Sequence, residues 1–254
     1  MNYTSQKSLT YNPSLTRNIG NKALTIISSL FAIISVLPLI LVISYVLIKG
    51  GSYINLDTLI LEPEPPGDDL LSAGGIGPAI TGTFIMSVIA SIISIPVGVG
   101  GGIYLAEYSK SGNFAKFIRF GSNVLAGVPS IIAGVFIYAI IVSTKILFGS
   151  MFSGIAGGIS LSILMLPTII KTTDEALKLV PNDMRRAAFG IGASKFTMIT
   201  NITLPAAFSS ISTGVLLAIA RAAGETAPLI FTALFSRYFI TSFDDLFYEM
   251  GSLS

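Results

Sequence analysis

Runs of about 20 apolar residues, each long enough to cross the hydrocarbon core of a bilayer as a helix, recur along this chain and leave little room for any other architecture. They fall at residues 23–48, 77–105, 124–142, 152–170 and 206–235. In lipid a spanning segment must satisfy its backbone polar groups within a helix or a closed barrel. The period-2 alternation of a barrel is absent, so all five segments are expected to be helices. Composition agrees: 52% of the 254 residues are hydrophobic and 11% charged, against about a quarter charged in a soluble domain. The expected fold class is an all-α integral membrane protein. The first run exceeds the apolar region of a signal peptide and lacks a small-residue cleavage site, so it reads as a retained span.

The chain has no cysteine and no histidine. Thiol chemistry, Cys/His metal sites and Ser-His or Cys-His nucleophiles are thereby excluded within it, and no cofactor, metal or nucleic acid is expected. No G-x-x-x-x-G-K-[ST] run is present to cradle a nucleotide.

The net charge of +2 says less than its distribution. Lys7, Arg17 and Lys22 precede the first span, Lys110, Lys116 and Arg119 follow the second, and Lys171, Lys178, Arg185, Arg186 and Lys195 follow the fourth. These segments fall on one side, expected to be cytoplasmic, with the amino terminus inside. The other side carries Asp57, Glu62, Glu64, Asp68, Asp69, Asp244, Asp245 and Glu249 against Lys49, Lys145 and Arg237. Residues 62–69 read as an acidic loop stiffened by proline. Pro96, Gly98, Gly100, Gly101 and Gly102, and later Gly154, Gly157, Gly158 and Pro167, punctuate two spans. Close helix packing and a hinge both account for them.

Residues 171–205 are too polar to remain in lipid and too patterned to be a plain linker. Thr173 or Asp174 could cap a helix through Glu175 to Val180, stopped by Pro181. Asn182 or Asp183 could cap a second helix containing Ala187 and Ala188, ended near Gly190 or Gly192. The pair would make a compact knob whose small residues allow close seating in a partner's groove, with Pro205 marking re-entry into the membrane.

Within that loop Arg186-Ala187-Ala188, Gly192 and Ile202-Thr203-Leu204-Pro205 resemble the E-A-A-x3-G-x9-I-x-L-P loop of ABC-transporter membrane subunits. Arg221-Ala-Ala-Gly-Glu225-Thr226-Ala-Pro-Leu229 is similar to the R-A-x-G-E-T-A-P-L signature of phosphate-type permeases, the PstA-like subunits. Val128-Pro-Ser-Ile-Ile-Ala-Gly-Val135, Leu166-Pro-Thr-Ile-Ile-Lys-Thr-Thr173 and Ile103-Tyr-Leu-Ala-Glu-Tyr108 look like further segments of the same family. The resemblance implies a type I ABC importer permease fold. Residues 1–22 would be a cytoplasmic segment, 23–235 the permease domain and 236–254 an external tail. Two departures stand out: Arg186 replaces the family's glutamate, and 236–254 is too short and polar for the sixth helix such subunits carry, so the chain is expected to lack that span.

The resemblance further implies ATP-driven inward movement of inorganic phosphate. The partners would be a cytoplasmic ABC ATPase dimer, a second homologous permease subunit and an external phosphate-binding protein; this chain would be no enzyme itself. Glu175, Arg186, Ala187, Ala188, Gly192, Leu204 and Pro205 would serve ATPase coupling. Arg221, Glu225 and Thr226 would line the substrate pathway. Arg221 and Glu225 stand one helical turn apart, and an internal ion pair and a transient phosphate contact are both compatible with that spacing. A permease for molybdate or sulfate, or a non-conducting membrane subunit that only docks an ATPase, are the alternatives.

Overall fold

The computed structural model describes residues 15–51, 54–64, 74–109, 112–145 and 152–253. Lys7, Asp68, Asp69 and Lys110, which enter the charge argument above, lie outside the described residues, as does much of the acidic loop. The described residues form helices and connecting turns, without a strand.

Residues Met1–Asn55 form a unit of their own. Its helix α1 (Leu15–Gly50) carries Pro38 inside it. At 36 residues it extends about 54 Å, well beyond the roughly 30 Å hydrocarbon core. Its side chains are exposed along their whole described length, as suits a helix whose surroundings are as apolar as its own surface.

The second unit, Leu56–Ser254, is built on two long parallel spans, whose early turns meet at Met86 and Gly157 and whose late turns meet at Gly98 and Ile169. The short α2 (Leu56–Ile60) leads to α3 (Gly77–Ile103), which opens with Pro78 in its first turn and continues into a π-helical turn, Tyr104–Tyr108. Its main partner is α6 (Gly154–Leu179), capped by the Ser153 hydroxyl, which accepts from the Ala156 amide at 3.1 Å. Of the punctuating glycines, Gly98, Gly101, Gly102, Gly157 and Gly158 lie in the seam between these two helices, whereas Gly154 faces Met250 and Gly100 has open space beside it. A Cβ at Gly98 would fall 2.7 Å from Ile169 Cγ2, and one at Gly157 would fall 2.7 Å from Met86 Sδ. Close helix packing therefore accounts for both, as small residues permit in lipid where apolar burial supplies no net drive. Met86, Ala90, Leu161, Met165 and Ile169 form the resulting core together with Ala218, Ala222, Leu229, Ala233 and Met250.

Three boundaries differ from expectation. The window 124–142 is not one straight span: α4 (Asn113–Gly127) and α5 (Ser130–Ile137, extended by a π-helical turn through Val142) meet at 105°. Pro129 is the cause. The residue before a proline is pushed out of the α region, and Val128 is extended at φ −74°, ψ 131°.

Residues 171–179 do not start a new helix either. They are the last turns of α6, and Thr173 and Asp174 are buried within it rather than capping anything. Thr173, Ala176, Leu177 and Val180 extend the buried stripe at helical spacing, and the polar residues on the flanks find partners described below.

The span expected at 206–235 is displaced as well. It begins with α8 (Lys195–Met198), passes through a π-helical turn at Ile199–Thr203 and ends with α9 (Leu204–Ala223). Pro205 therefore sits inside a continuous helical span instead of marking its entry. The π turn immediately before it already breaks the α-helical hydrogen-bond register, so the missing proline N–H interrupts little. After a break at 224–226, α10 (Ala227–Thr232) packs on α5, close enough that a Cβ at Gly134 would lie 2.6 Å from Pro228 Cα.

Among the described residues four helices are thus long and apolar enough to cross a bilayer, or five if the bent α4–α5 pair is one span. The last described residues fold back onto the bundle: a 3-10 turn at Phe243–Phe247 is closed by a Ser242–Asp245 capping box, Met250 N donates to the Ala233 carbonyl and Leu253 N to Thr83 Oγ1.

Candidate functional site

The sequence candidates fall into two groups, on different stretches of α9 and its connections. The first surrounds α7 (Asn182–Gly190), which links α6 to α8. Its inner side is closed: Ala188, Met198 and Ile199 are buried together, with Ile103 of α3, Ile202 and Leu204 packed against them. Its outer side is open. Arg186, Ala187 and the apolar Met184, Phe189 and Ile191 are exposed, Ile191 at 86%. Leu179 and Glu175 at the end of α6, and Phe196 on α8, are exposed too.

Two of the coupling candidates have structural duties within the chain. Ala188 is buried inside the knob and so cannot itself touch a groove on another protein. Gly192 stands at φ +82°, with open space where a Cβ would be; its amide bonds to the Phe189 carbonyl and the next one, Ala193 N, to the Ala188 carbonyl. This left-handed turn closes α7, and glycine adopts it without steric cost.

The knob is tied to the bundle by charge. Arg185, which faces inward, places Nη2 at 2.8 Å and Nε at 3.1 Å from Glu107 Oε1 in the π turn after α3. The same guanidinium donates to the Leu177 and Val180 carbonyls at the end of α6, at 2.6 Å each. The side chains are only 12% and 4% exposed. Beside this pair Arg119 of α4 reaches the Leu105 carbonyl at 3.0 Å and Asp174 of α6 at 3.4 Å, while Lys178 lies 2.5 Å from Asp174. Lys195 sits 4.5 Å above the Tyr108 ring, a cation–π contact from α8 to the same π turn.

The second group surrounds the break after α9. Helix α9 ends at Ala223, so Arg221 lies in its last turn and Glu225 in the irregular segment beyond. The pair anticipated from their spacing exists, with Arg221 Nε 3.6 Å from Glu225 Oε1, but it is open: the side chains are 60% and 16% exposed. Thr226, exposed, precedes α10 without a side-chain capping bond. Depth is what makes this segment unusual. Ala218 and Ala222 share a buried cluster with Met86, Ala90 and Met165, which stand roughly midway along α3 and α6. Irregular backbone at membrane depth persists only where protein covers it or water reaches it, and the same holds for an exposed guanidinium.

The stretch from the last turns of α3 to Met250, residues 98–250, matches the family described as binding-protein-dependent transport system inner membrane component. The chain belongs to that family. It is a multi-pass membrane permease of the ABC type and PstA-like in sequence. A phosphate transport system permease protein PstA from Yersinia pestis is 40% identical over 225 residues, covering 89% of this chain and 74% of the relative. Its counterpart from Pasteurella multocida is 39% identical over 228 residues, covering 90% and 78%. A probable ABC transporter permease protein, YqgI of Bacillus subtilis, is 32% identical over 219 residues, covering 86% and 72%. Among solved structures, the inward-facing MetNI methionine ABC transporter superposes with a TM-score of 0.50 at 19% identity, over 59% of this chain and 68% of that one. The last comparison bears on fold alone, and places the permease on a type I importer architecture.

Glu107 and Arg185 were absent from the candidates drawn from sequence. Glu107 appeared only inside a family-like segment, and Arg185 only as one cation among several. A usable signal was there: an acid closing an apolar span and an arginine opening a short amphipathic helix each need a partner. Their separation of 78 residues hides the pairing from any local reading.

Proposed function

We propose that this permease conducts inorganic phosphate into the cell as part of an ATP-driven importer. It would act with a second homologous permease subunit, two copies of a cytoplasmic ABC ATPase and an external phosphate-binding protein. The observation that carries the reading is Arg221: a guanidinium 60% exposed at the depth of the bundle core, beside a broken helix. Guanidinium matches oxyanion geometry and stays charged at any physiological pH. Glu225, 3.6 Å away, would hold Arg221 in place and keep its grip on the anion weak enough for release. The names of the PstA relatives from Yersinia pestis and Pasteurella multocida support phosphate as that anion.

In this reading the knob faces the cytoplasm and meets the ATPase through the exposed Arg186, Ala187, Phe189 and Ile191, with Glu175 at the margin of the contact. Gly192 and Leu204 contribute by shaping the knob, and Pro205 by its place at the head of α9. The basic bias around α4 and α7 supports this orientation, with the amino terminus inside. Since the chain has no cysteine, single cysteines at Ser194 and Asp244 test it directly. Ser194→Cys should resist an impermeant reagent in intact cells while Asp244→Cys labels; the reverse pattern would invert the assignment. The transport reading itself is tested by radiolabelled phosphate flux into liposomes holding the complete complex. ATP-dependent phosphate accumulation that disappears without this chain is expected, and flux that persists without it would refute the reading.

A further inference from the structure

Arg186 and Arg185 are neighbours with opposite circumstances. Arg186 points into open space, where a partner can reach it. Arg185 is turned inward and satisfied within the chain by four partners: the Glu107 carboxylate, the Leu177 and Val180 carbonyls and, on its own helix, Asn182 Oδ1 at 3.4 Å. A planar guanidinium presents donors in a fixed fork. Here the fork bridges the π turn after α3 to the last turn of α6, while its own backbone belongs to α7.

The surroundings make this bridge the charged connection between the knob and the end of α3. Residues 180 and 181 are all that separates α6 from α7 in the chain, so a side-chain tie at Arg185 acts close to that junction. The packing of Ala188 against Met198 and Ile199 fixes it chiefly to α8 and the π turn that follows. Among the described residues only Glu107–Arg185 is a charged, buried link from α7 to the end of α3, and it lands on the turn that Arg119 and Lys195 also hold, through Leu105 and Tyr108. A displacement of α7 therefore cannot leave α3 and α6 behind without exposing or unpairing a buried carboxylate, which is strongly resisted.

We infer that Glu107 and Arg185 are positioning residues for transport, a clamp that makes a push on α7 move α3 and α6 as one body. The inference rests on the reading that α7 is the surface met by the ATPase. It assigns the transmitting role to Arg185, inside the knob, and leaves the exposed Arg186 to partner contact.

The test uses the complete reconstituted complex and phosphate as substrate. Ile191→Cys, on a side chain 86% exposed in a cysteine-free chain, is crosslinked to a cysteine placed on the ATPase to report seating of the knob. Into that background go Glu107→Gln, which keeps the shape and leaves no buried unpaired acid, and Arg185→Lys, which keeps the charge but loses the fork. Crosslinking and ATP hydrolysis should persist in both. Phosphate carried per ATP hydrolysed should fall roughly tenfold in Glu107→Gln and by less in Arg185→Lys. If Glu107→Gln yields no assembled complex, the direction of the Arg185→Lys ratio decides. Unchanged phosphate per ATP at normal crosslinking, even with lower thermal stability or abundance, would reduce the pair to a structural tie and overturn the inference. Absence of any crosslink in the otherwise unaltered complex would instead remove the assignment of α7 as the ATPase contact, and the clamp with it.

Discussion

The molecule contains two arginine–glutamate pairs that differ in almost every physical respect. Arg185–Glu107 joins residues 78 apart in the chain at 2.8 Å, is nearly buried, and completes its hydrogen bonding with helix carbonyls. Arg221–Glu225 joins residues four apart, across the end of α9, at 3.6 Å, with the guanidinium mostly uncovered. The first pair has no donor to spare and suits holding two helices together. The second keeps its cation accessible, and an anion can compete for it. An ion pair therefore reports function through its exposure and the order of its partners, more than through its mere presence.

The strongest way to break that contrast is to remove the open cation. Arg221→Gln is expected to abolish phosphate uptake by the reconstituted complex while leaving assembly intact, and its stability should change by no more than about 1 kcal/mol, the scale of an exposed pair. Exchanging Arg221 and Glu225 preserves the pair but moves the cation, and should also abolish uptake; Arg221→Lys should retain part of it, having charge without the bidentate fork. Near-normal uptake by Arg221→Gln at matched complex abundance would show that this pair is structural after all.

The buried pair should respond the other way round. Arg185→Gln leaves Glu107 uncompensated, and the expected loss of stability is about 3–5 kcal/mol, measured as thermal or denaturant unfolding of the purified protein in detergent. Glu107→Gln should lose less, because the Arg185 guanidinium it leaves without a carboxylate still donates to the Leu177 and Val180 carbonyls. Equal losses for Arg185→Gln and Arg221→Gln would erase the distinction between the two sites.

A smaller effect tests whether the knob's shape, apart from its charge, sets its role. Gly192→Ala forces a Cβ onto a residue at φ +82° with space around it, so the penalty is backbone strain alone, about 1 kcal/mol. Faster amide exchange confined to α7, without a shift in global unfolding, is the expected readout.

The smallest effect lies far from both pairs. Backbone amides of Ser242 and Thr241 hold the Asp245 carboxyl below the usual carboxylate range. A depressed folded pKa contributes order that is fully present above the unfolded value of about 4 and is lost as pH falls through the lower folded one. Acid should therefore release the Thr241 and Ser242 amides to exchange before the helices loosen. Insensitivity of those amides to Asp245→Asn would remove that account, and a matching loss at α7 would show that the two ends of the bundle are not independent.

How much was legible in advance depended on the range of the interaction. Apolar windows announce spans because the lipid requirement is imposed residue by residue, and the Arg221–Glu225 pair could be anticipated because i, i+4 neighbours must meet on a helix. The Val128-Pro129 step carries a local signal for the 105° bend, but the apolar run on both sides masks it. The continuation of α6 through Lys171–Leu179 was hidden for a different reason. Polarity there suggested a loop, and only the pairing of Asp174 with Arg119 of α4 shows why those residues stay helical.

By itself, the sequence determined that the chain lives in a membrane, that it is helical, where its spans roughly lie, and that its knob and its Gly-Glu-Thr-Ala-Pro break belong to a permease. Hydrophobic periodicity, backbone satisfaction and turn residues act over a few positions, and so can be read along the chain. The tertiary structure alone decided that Arg185 faces Glu107 while Arg186 faces out, that Ala188 is interior, and that the Arg221 break lies level with the core of α3 and α6. Those choices come from α3, α6 and α9 packing side by side, and burial between distant segments has no signature in the order of residues on any one of them.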